Sequence, residues 1–159
     1  MAVSSSGRAF RPAMPASGDC VFCAIVAGEA SAVFVHEDPE HVAFMDKFPI
    51  SPGHVLVVPR AHHPDALSMP PEEAGRLFAK AAFIARAVKE AMAADGVNLG
   101  QNSGSAAGQI VFHVHVHVIP RHDREGGRWP RRAVSSPEDL EATAGRIREA
   151  LRGLIPPKA

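Results

Sequence analysis

The stretch that most constrains this chain is residues 109–119, QIVFHVHVHVI, where His113, His115 and His117 alternate with Val114, Val116 and Val118. Successive side chains of a strand point to opposite faces. The alternation therefore predicts one strand with three imidazoles on one face and three valines on the other, the core face. Pro120 would stop it. His54 opens a second β-rich stretch, HVLVV, and is expected to join the imidazole face. An unperturbed imidazole has a pKa of about 6.5, so near pH 7 these rings are mainly neutral. A neutral ring carries one lone-pair nitrogen, able to attack phosphorus or carbon. Two other readings stand beside this one. The face is a polar surface without chemistry, or it is a three-His metal site. The second is awkward, because the first and last His of the strand lie about 13 Å apart.

The segment just before this strand, Ser103-Gly104-Ser105-Ala106-Ala107-Gly108, has almost no side chain to cover its backbone N–H groups. Such groups cradle anions, phosphate above all. A plain flexible turn is the alternative. Beside a His nucleophile, the loop points to phosphoryl or nucleotidyl transfer, with N–H groups on the oxygens and one imidazole attacking in line.

The remainder reads as one domain of ordinary size at 159 residues. Short strands are expected at 32–36 and 41–45, joined by a turn at 37–40, and at 54–58 after the turn Ser51-Pro52-Gly53. Asp19 would open a short helix or turn over 19–28. The strongest helix spans 70–94, with Pro70 and Pro71 at its start, Glu72 and Glu73 in its first turn, and a stripe of Leu77, Ala81, Ile84, Val88 and Met92. Asp95-Gly96 would end it, Gly96 in a left-handed cap. A strand follows at 97–102. A last helix starts at Ser136-Pro137 and carries Leu140, Ile147, Leu151 and Leu154 on one side. Short loops between neighbouring strands favour antiparallel pairing, so the fold class is α+β, an antiparallel sheet with one long helix and a C-terminal helix.

Residues 1–17 carry Arg8, Arg11, two prolines and no acid, and read as a disordered arm, a transit peptide being the alternative. The folded part would be 18–159. No segment approaches the roughly 18–20 apolar residues of a membrane span. Lys+Arg and Asp+Glu are both 17, which argues against a charge-driven nucleic-acid or membrane surface. The two cysteines are too few for a disulfide scaffold. The expectation is a soluble, cytoplasmic protein.

Gly108-Gln109, then HVHVHVI and Pro120-Arg121, resemble the signature of the histidine triad (HIT) superfamily. Upstream, residues 46–60, DKFPISPGHVLVVPR, are similar to its second motif, an Asp followed eight residues later by the His of a Pro-Gly-His turn. The resemblance implies a homodimer that binds purine nucleotides and works through a covalent nucleotidyl-histidine, with no metal needed for chemistry. It implies His115 as nucleophile. His113 would support it through its backbone carbonyl, His117 would meet the phosphate and leaving group, and His54 would complete the polar chain. Asp46 would bind ribose hydroxyls. Asn102 would lie near the phosphate, and Gly108, Gln109 and Val111 in the phosphate loop. Phe44, Lys47, Phe22 and Ile25 are candidates for the base subsite. His117, where the uridylyltransferases carry Gln, points to hydrolases or phosphorylases, and Asp46 and Asn102 look like the Hint branch, nucleoside phosphoramidases. Dinucleoside polyphosphate hydrolysis or phosphorolysis is the alternative, favoured by the Arg-rich segment 121–132, and a non-catalytic nucleotide sensor is a third reading. Ile110 departs from the Ser or Thr common in both branches.

Cys20 and Cys23 form C-x-x-C. Resemblance to the zinc-binding uridylyltransferases of the superfamily implies a structural zinc on Cys20, Cys23, His62 and His113. Two thiols without a role are the alternative, and a redox motif lacks its βαβ context. His36, His41 and His122 are expected at the surface.

Overall fold

The computed structural model describes residues 19–125 and 134–156. The expected arm, residues 1–17, and the Arg-rich segment past residue 125 lie outside the described residues.

Five antiparallel strands form one sheet: β1 (Phe34–Glu37), β2 (His41–Met45), β3 (Val55–Pro59), β4 (Gly96–Gly100) and β5 (Val116–Arg121), in the order β1-β2-β3-β5-β4. A short helix α1 (Val21–Val26) precedes them. The long helix α2 (Pro71–Ala91) links β3 to β4, and α3 (Pro137–Arg152) closes the chain. The class is α+β, as predicted.

The sheet is covered on both faces. Ala43, Met45, Val55 and Val57 face the α2 and α3 side, together with Leu77, Ile84, Val88, Leu140 and Ile147. Val42, Phe44, Leu56 and Val58 face the other way, onto Phe22 and Ile25 of α1. Double coverage explains why β2 and β3 are buried at every position. Val114, Val116 and Val118 all join the α2 side, so the valine half of the alternation packs as expected.

Several element boundaries differ from expectation. The strand expected over 109–119 begins only at Val116, and it runs on through Pro120 to Arg121. The register Val57↔Val116 would bring Val114 opposite Pro59, which has no N–H for the ladder. Val114 N–H instead donates to the carbonyl of His63 at 2.8 Å. Pro120 is tolerated because β5 continues against β4, with Val97 opposite it. Helix α2 ends at Ala91, and the left-handed residue is Ala93 (φ 46°), so Gly96 opens β4 rather than capping the helix. Cys20, not Asp19, caps α1, its Sγ accepting Cys23 N–H at 3.3 Å. Ser136 caps α3 as expected, accepting Asp139 N–H.

Candidate active site and metal site

His54 is placed by the turn that precedes β3. Gly53 there has φ 93°, and a Cβ on it would lie 2.6 Å from Met92 Cγ, so no other residue fits without displacement. The turn aims Ile50 N–H at His54 Nδ1, 3.0 Å away. A backbone N–H can only donate, so Nδ1 accepts and the proton of this fully buried ring sits on Nε2. That Nε2 lies 2.9 Å from His117 Nδ1 and 3.5 Å from Asp46 Oδ2. His117 Nδ1 therefore accepts, and its own proton is on Nε2. The other Asp46 oxygen, Oδ1, accepts Phe48 N–H at 2.8 Å.

His115 is set the opposite way. Its Nδ1–H donates to the carbonyl of His113 at 2.7 Å, which leaves the lone pair on Nε2. Its ring lies 4.9 Å from that of His117, centroid to centroid, and Phe22 of α1 presents an edge to it at 5.1 Å. The arrangement offers a nucleophilic nitrogen next to an N–H donor, on the α1 side of the sheet.

His113 turns to a different cluster. Its Nε2–H donates to Pro59 O at 2.8 Å, so its Nδ1 carries the lone pair. That nitrogen faces Cys20 Sγ at 3.4 Å, Cys23 Sγ at 3.5 Å and His62 Nδ1 at 3.2 Å, and Cys23 Sγ is 3.3 Å from His62 Nδ1. Ligands of a tetrahedral zinc, with bonds of about 2.3 Å to sulfur and 2.0–2.1 Å to nitrogen, stand roughly 3.3–3.8 Å apart. The observed spacings match that shell, and Cys₂His₂ is a closed structural donor set. Burial, opposed by the bond to Pro59, pushes His113 down to about 4 and keeps it neutral, the form a ligand needs. Burial and then the neighbouring Cys20 push the Cys23 thiol up to about 11, the cost of two adjacent thiolates without a cation.

The expected face of four imidazoles is thus divided: His54, His117 and His115 form one group, and His113 lies with the cysteines. Two groupings could hold a metal among the described residues: Cys20, Cys23, His62 and His113, and Asp46, His54 and His117. The three-His site on one strand is not among them. His63, beside His62, is bonded instead to Glu73 at 2.8 Å. His41, expected at the surface, is buried, which pushes its pKa below the usual value.

The small-residue loop is a 3₁₀ turn at Ser105–Ala107. Three of its expected anion donors are used locally: Gly104 N–H on Gln109 Oε1, Ala107 N–H on Gly104 O, and Gly108 N–H on Ser105 O; Gln109 N–H also donates to Gly104 O. Gln109 is itself buried and bonds only backbone groups, so its side chain supports the loop rather than facing a ligand. Asn102 sits against Gly108, where an added Cβ would lie 3.5 Å from its Nδ2. Phe44 lies buried in an aromatic group with Phe22 and Phe34, at 5.5 and 6.0 Å. Lys47 is exposed, and Val111 packs on the Phe22 side. Sequence reasoning missed Ile50 N–H and Pro59 O, the groups that set the protons on His54 and His113. Backbone groups have no letter code, so no motif marks them.

Residues 27–124 match the family described as HIT domain. An adenylylsulfatase, HINT3, of Arabidopsis thaliana is 37% identical over 121 residues, which cover 76% of this chain and 61% of that protein. The chain thus spans less than two-thirds of the plant protein. A HIT-like protein of Mycobacterium tuberculosis is 42% identical over 137 residues, covering 83% of this chain and 92% of its own length. Among solved structures, a Zn-bound histidine triad family protein from Mycobacterium smegmatis superposes with a TM-score of 0.77 at 40% identity, covering 85% of this chain and 94% of the other.

Proposed function

The chain belongs to the histidine triad (HIT) family, and from that premise we propose that it is a nucleotide-binding hydrolase acting on nucleoside monophosphate derivatives, phosphoramidates or mixed adenylates, through a nucleotidyl adduct on His115. One observation carries the reading: His113 O takes the Nδ1 proton of His115 at 2.7 Å, which directs the Nε2 lone pair to attack. The name of the plant relative, an adenylylsulfatase, agrees with cleavage of a bond to an adenylate phosphorus.

In the first step His115 Nε2 attacks the α-phosphorus. The P–N bond forms as the bond to the leaving amine or oxyanion breaks. His117 Nε2–H, held by the 2.9 Å bond from His54 Nε2–H, donates a hydrogen bond to the leaving group, an oxyanion that departs as such or an amine already protonated from solvent. In the second step water attacks phosphorus, its proton passing to solvent. The P–N electron pair returns to His115, and a nucleoside monophosphate departs. Asp46 Oδ2, 3.5 Å from His54 Nε2, helps to keep the His54 proton on that nitrogen. Asn102 would lie by the phosphate.

Cys20, Cys23, His62 and His113 would hold zinc, a reading supported by their spacing and by the Zn-bound relative. Zinc there would act as a structural clamp on the segment that carries the nucleophile. A homodimer is part of the proposal, and sedimentation of the full chain checks it. Arg121 is engaged with Glu125 at 3.0 Å and Asn98 at 3.3 Å, so nothing described favours the longer polyphosphate substrates.

The test mixes the protein with adenosine 5′-phosphoramidate, quenches in base, and weighs the intact chain. An added adenylate mass that His115→Ala abolishes is expected. Turnover without an adduct under any quench time contradicts the covalent route, and neither turnover nor adduct favours a nucleotide sensor.

A further inference from the structure

One buried side chain connects the metal-binding group to the phosphate loop. Gln109 is 4% exposed. Its Oε1 accepts Gly104 N–H at 2.8 Å, and its Nε2 donates to Pro64 O at 2.6 Å and to Val111 O at 3.0 Å. Two carbonyls on one side and an N–H on the other fix which end of the amide is oxygen. Gln109 N–H also donates to Gly104 O at 3.1 Å, so Gly104 is gripped through both its backbone groups. Gly104 opens the 3₁₀ turn of the loop.

Pro64 lies two residues after His62, one of the four metal-binding side chains. The same segment is bound from the histidine motif at two further points, His113 Nε2 on Pro59 O and Val114 N on His63 O, both at 2.8 Å. It is tied to α2 by His63 and Glu73. A shift of His62 as the metal leaves therefore moves Pro64, and Pro64 reaches the loop through one rigid, fully bonded amide.

We propose that Gln109 is a positioning residue that couples occupancy of the Cys20-Cys23-His62-His113 group to the shape of the phosphate loop, so that metal and nucleotide each tighten the binding of the other. The inference rests on the nucleotide-site reading above. Such coupling is reciprocal for equilibrium binding, and between linked sites it is commonly fivefold or more, about 5–150-fold.

The experiment measures binding of adenosine 5′-monophosphate to zinc-loaded and zinc-stripped full-length protein by calorimetry, and zinc affinity by chelator competition with and without the nucleotide. At least a fivefold gain, equal in both directions, is expected. Gln109→Glu sets a carboxylate oxygen against two carbonyls and is expected to bring the factor close to one, while zinc still binds with unit stoichiometry and the nucleotide still binds. Equal nucleotide affinity with and without zinc in the wild type overturns the coupling. Undiminished coupling in Gln109→Glu overturns the part given to Gln109. A nucleotide that binds neither form overturns the functional reading and the coupling with it. Should the variant fail to fold, hydrogen exchange at Gly104 N–H decides in the wild type: protection that falls when zinc is stripped supports the proposal, and unchanged protection contradicts it.

Discussion

His113 and His115 are two residues apart in one repeating motif, yet their rings are held in opposite tautomers. His113 gives its Nε2 proton to Pro59 O and turns an Nδ1 lone pair to two thiols and His62. His115 gives its Nδ1 proton to His113 O and keeps its lone pair on Nε2. Both rings are deeply buried. The difference lies in which nitrogen meets a backbone carbonyl. A carbonyl only accepts, so it selects the tautomer, and the tautomer sets which nitrogen keeps a lone pair.

The largest expected effect breaks the His115 side of this contrast. His115→Ala removes the proposed nucleophile and should lower turnover by about 10⁴-fold or more, with metal content equal to that of the wild type. Steady-state kinetics and metal analysis on one preparation check both halves. Cys20→Ser breaks the other side. A site filled at roughly a thousand times its Kd contributes about 4 kcal/mol, so the variant should lose about that much stability, and stripping the wild type with chelator should match it. Urea unfolding measures the difference, and equal stability of loaded and stripped protein would refute a structural metal.

A pH series sharpens the comparison. The folded state holds His113 well below its ordinary value, at about 4, so it binds fewer protons than the unfolded chain between about 6.5 and 4. Stability of the zinc-free protein should fall as pH drops through that window, by about 3 kcal/mol from this ring. A flat profile by urea unfolding would contradict its burial as a neutral base. The smallest effect concerns the relay. His54→Gln keeps a side chain near His117 but loses the defined Nε2–H and should lower kcat roughly 10–100-fold with little change in KM. Stopped-time assays across substrate concentration test that split.

The fold was legible where side-chain pattern decides it. Strand β2 and the Ser136 cap of α3 follow their sequence cues, and the three valines pack where alternation sends them. The long histidine strand was overextended because its end depends on a partner, Pro59, which is distant in sequence and cannot supply the ladder N–H. The end of α2 was misplaced by one turn because Ala93 takes the left-handed conformation that glycine normally takes. In the site, the alternation brought out His115 and His117. The resemblance already set His113 with Cys20 and Cys23, but the tautomers that divide it from His115 were hidden, since they rest on backbone carbonyls such as that of Pro59. Part of the amide cradle was hidden for a similar reason: the N–H groups of Gly104, Ala107 and Gly108 are held by the loop and by Gln109.

Nitrogen-15 NMR of the imidazoles tests the division most directly, because it reports which ring nitrogen holds the proton. The wild type at neutral pH should show His115 protonated on Nδ1 and His113 protonated on Nε2. The same tautomer on both rings, or a proton on His115 Nε2, would contradict the account.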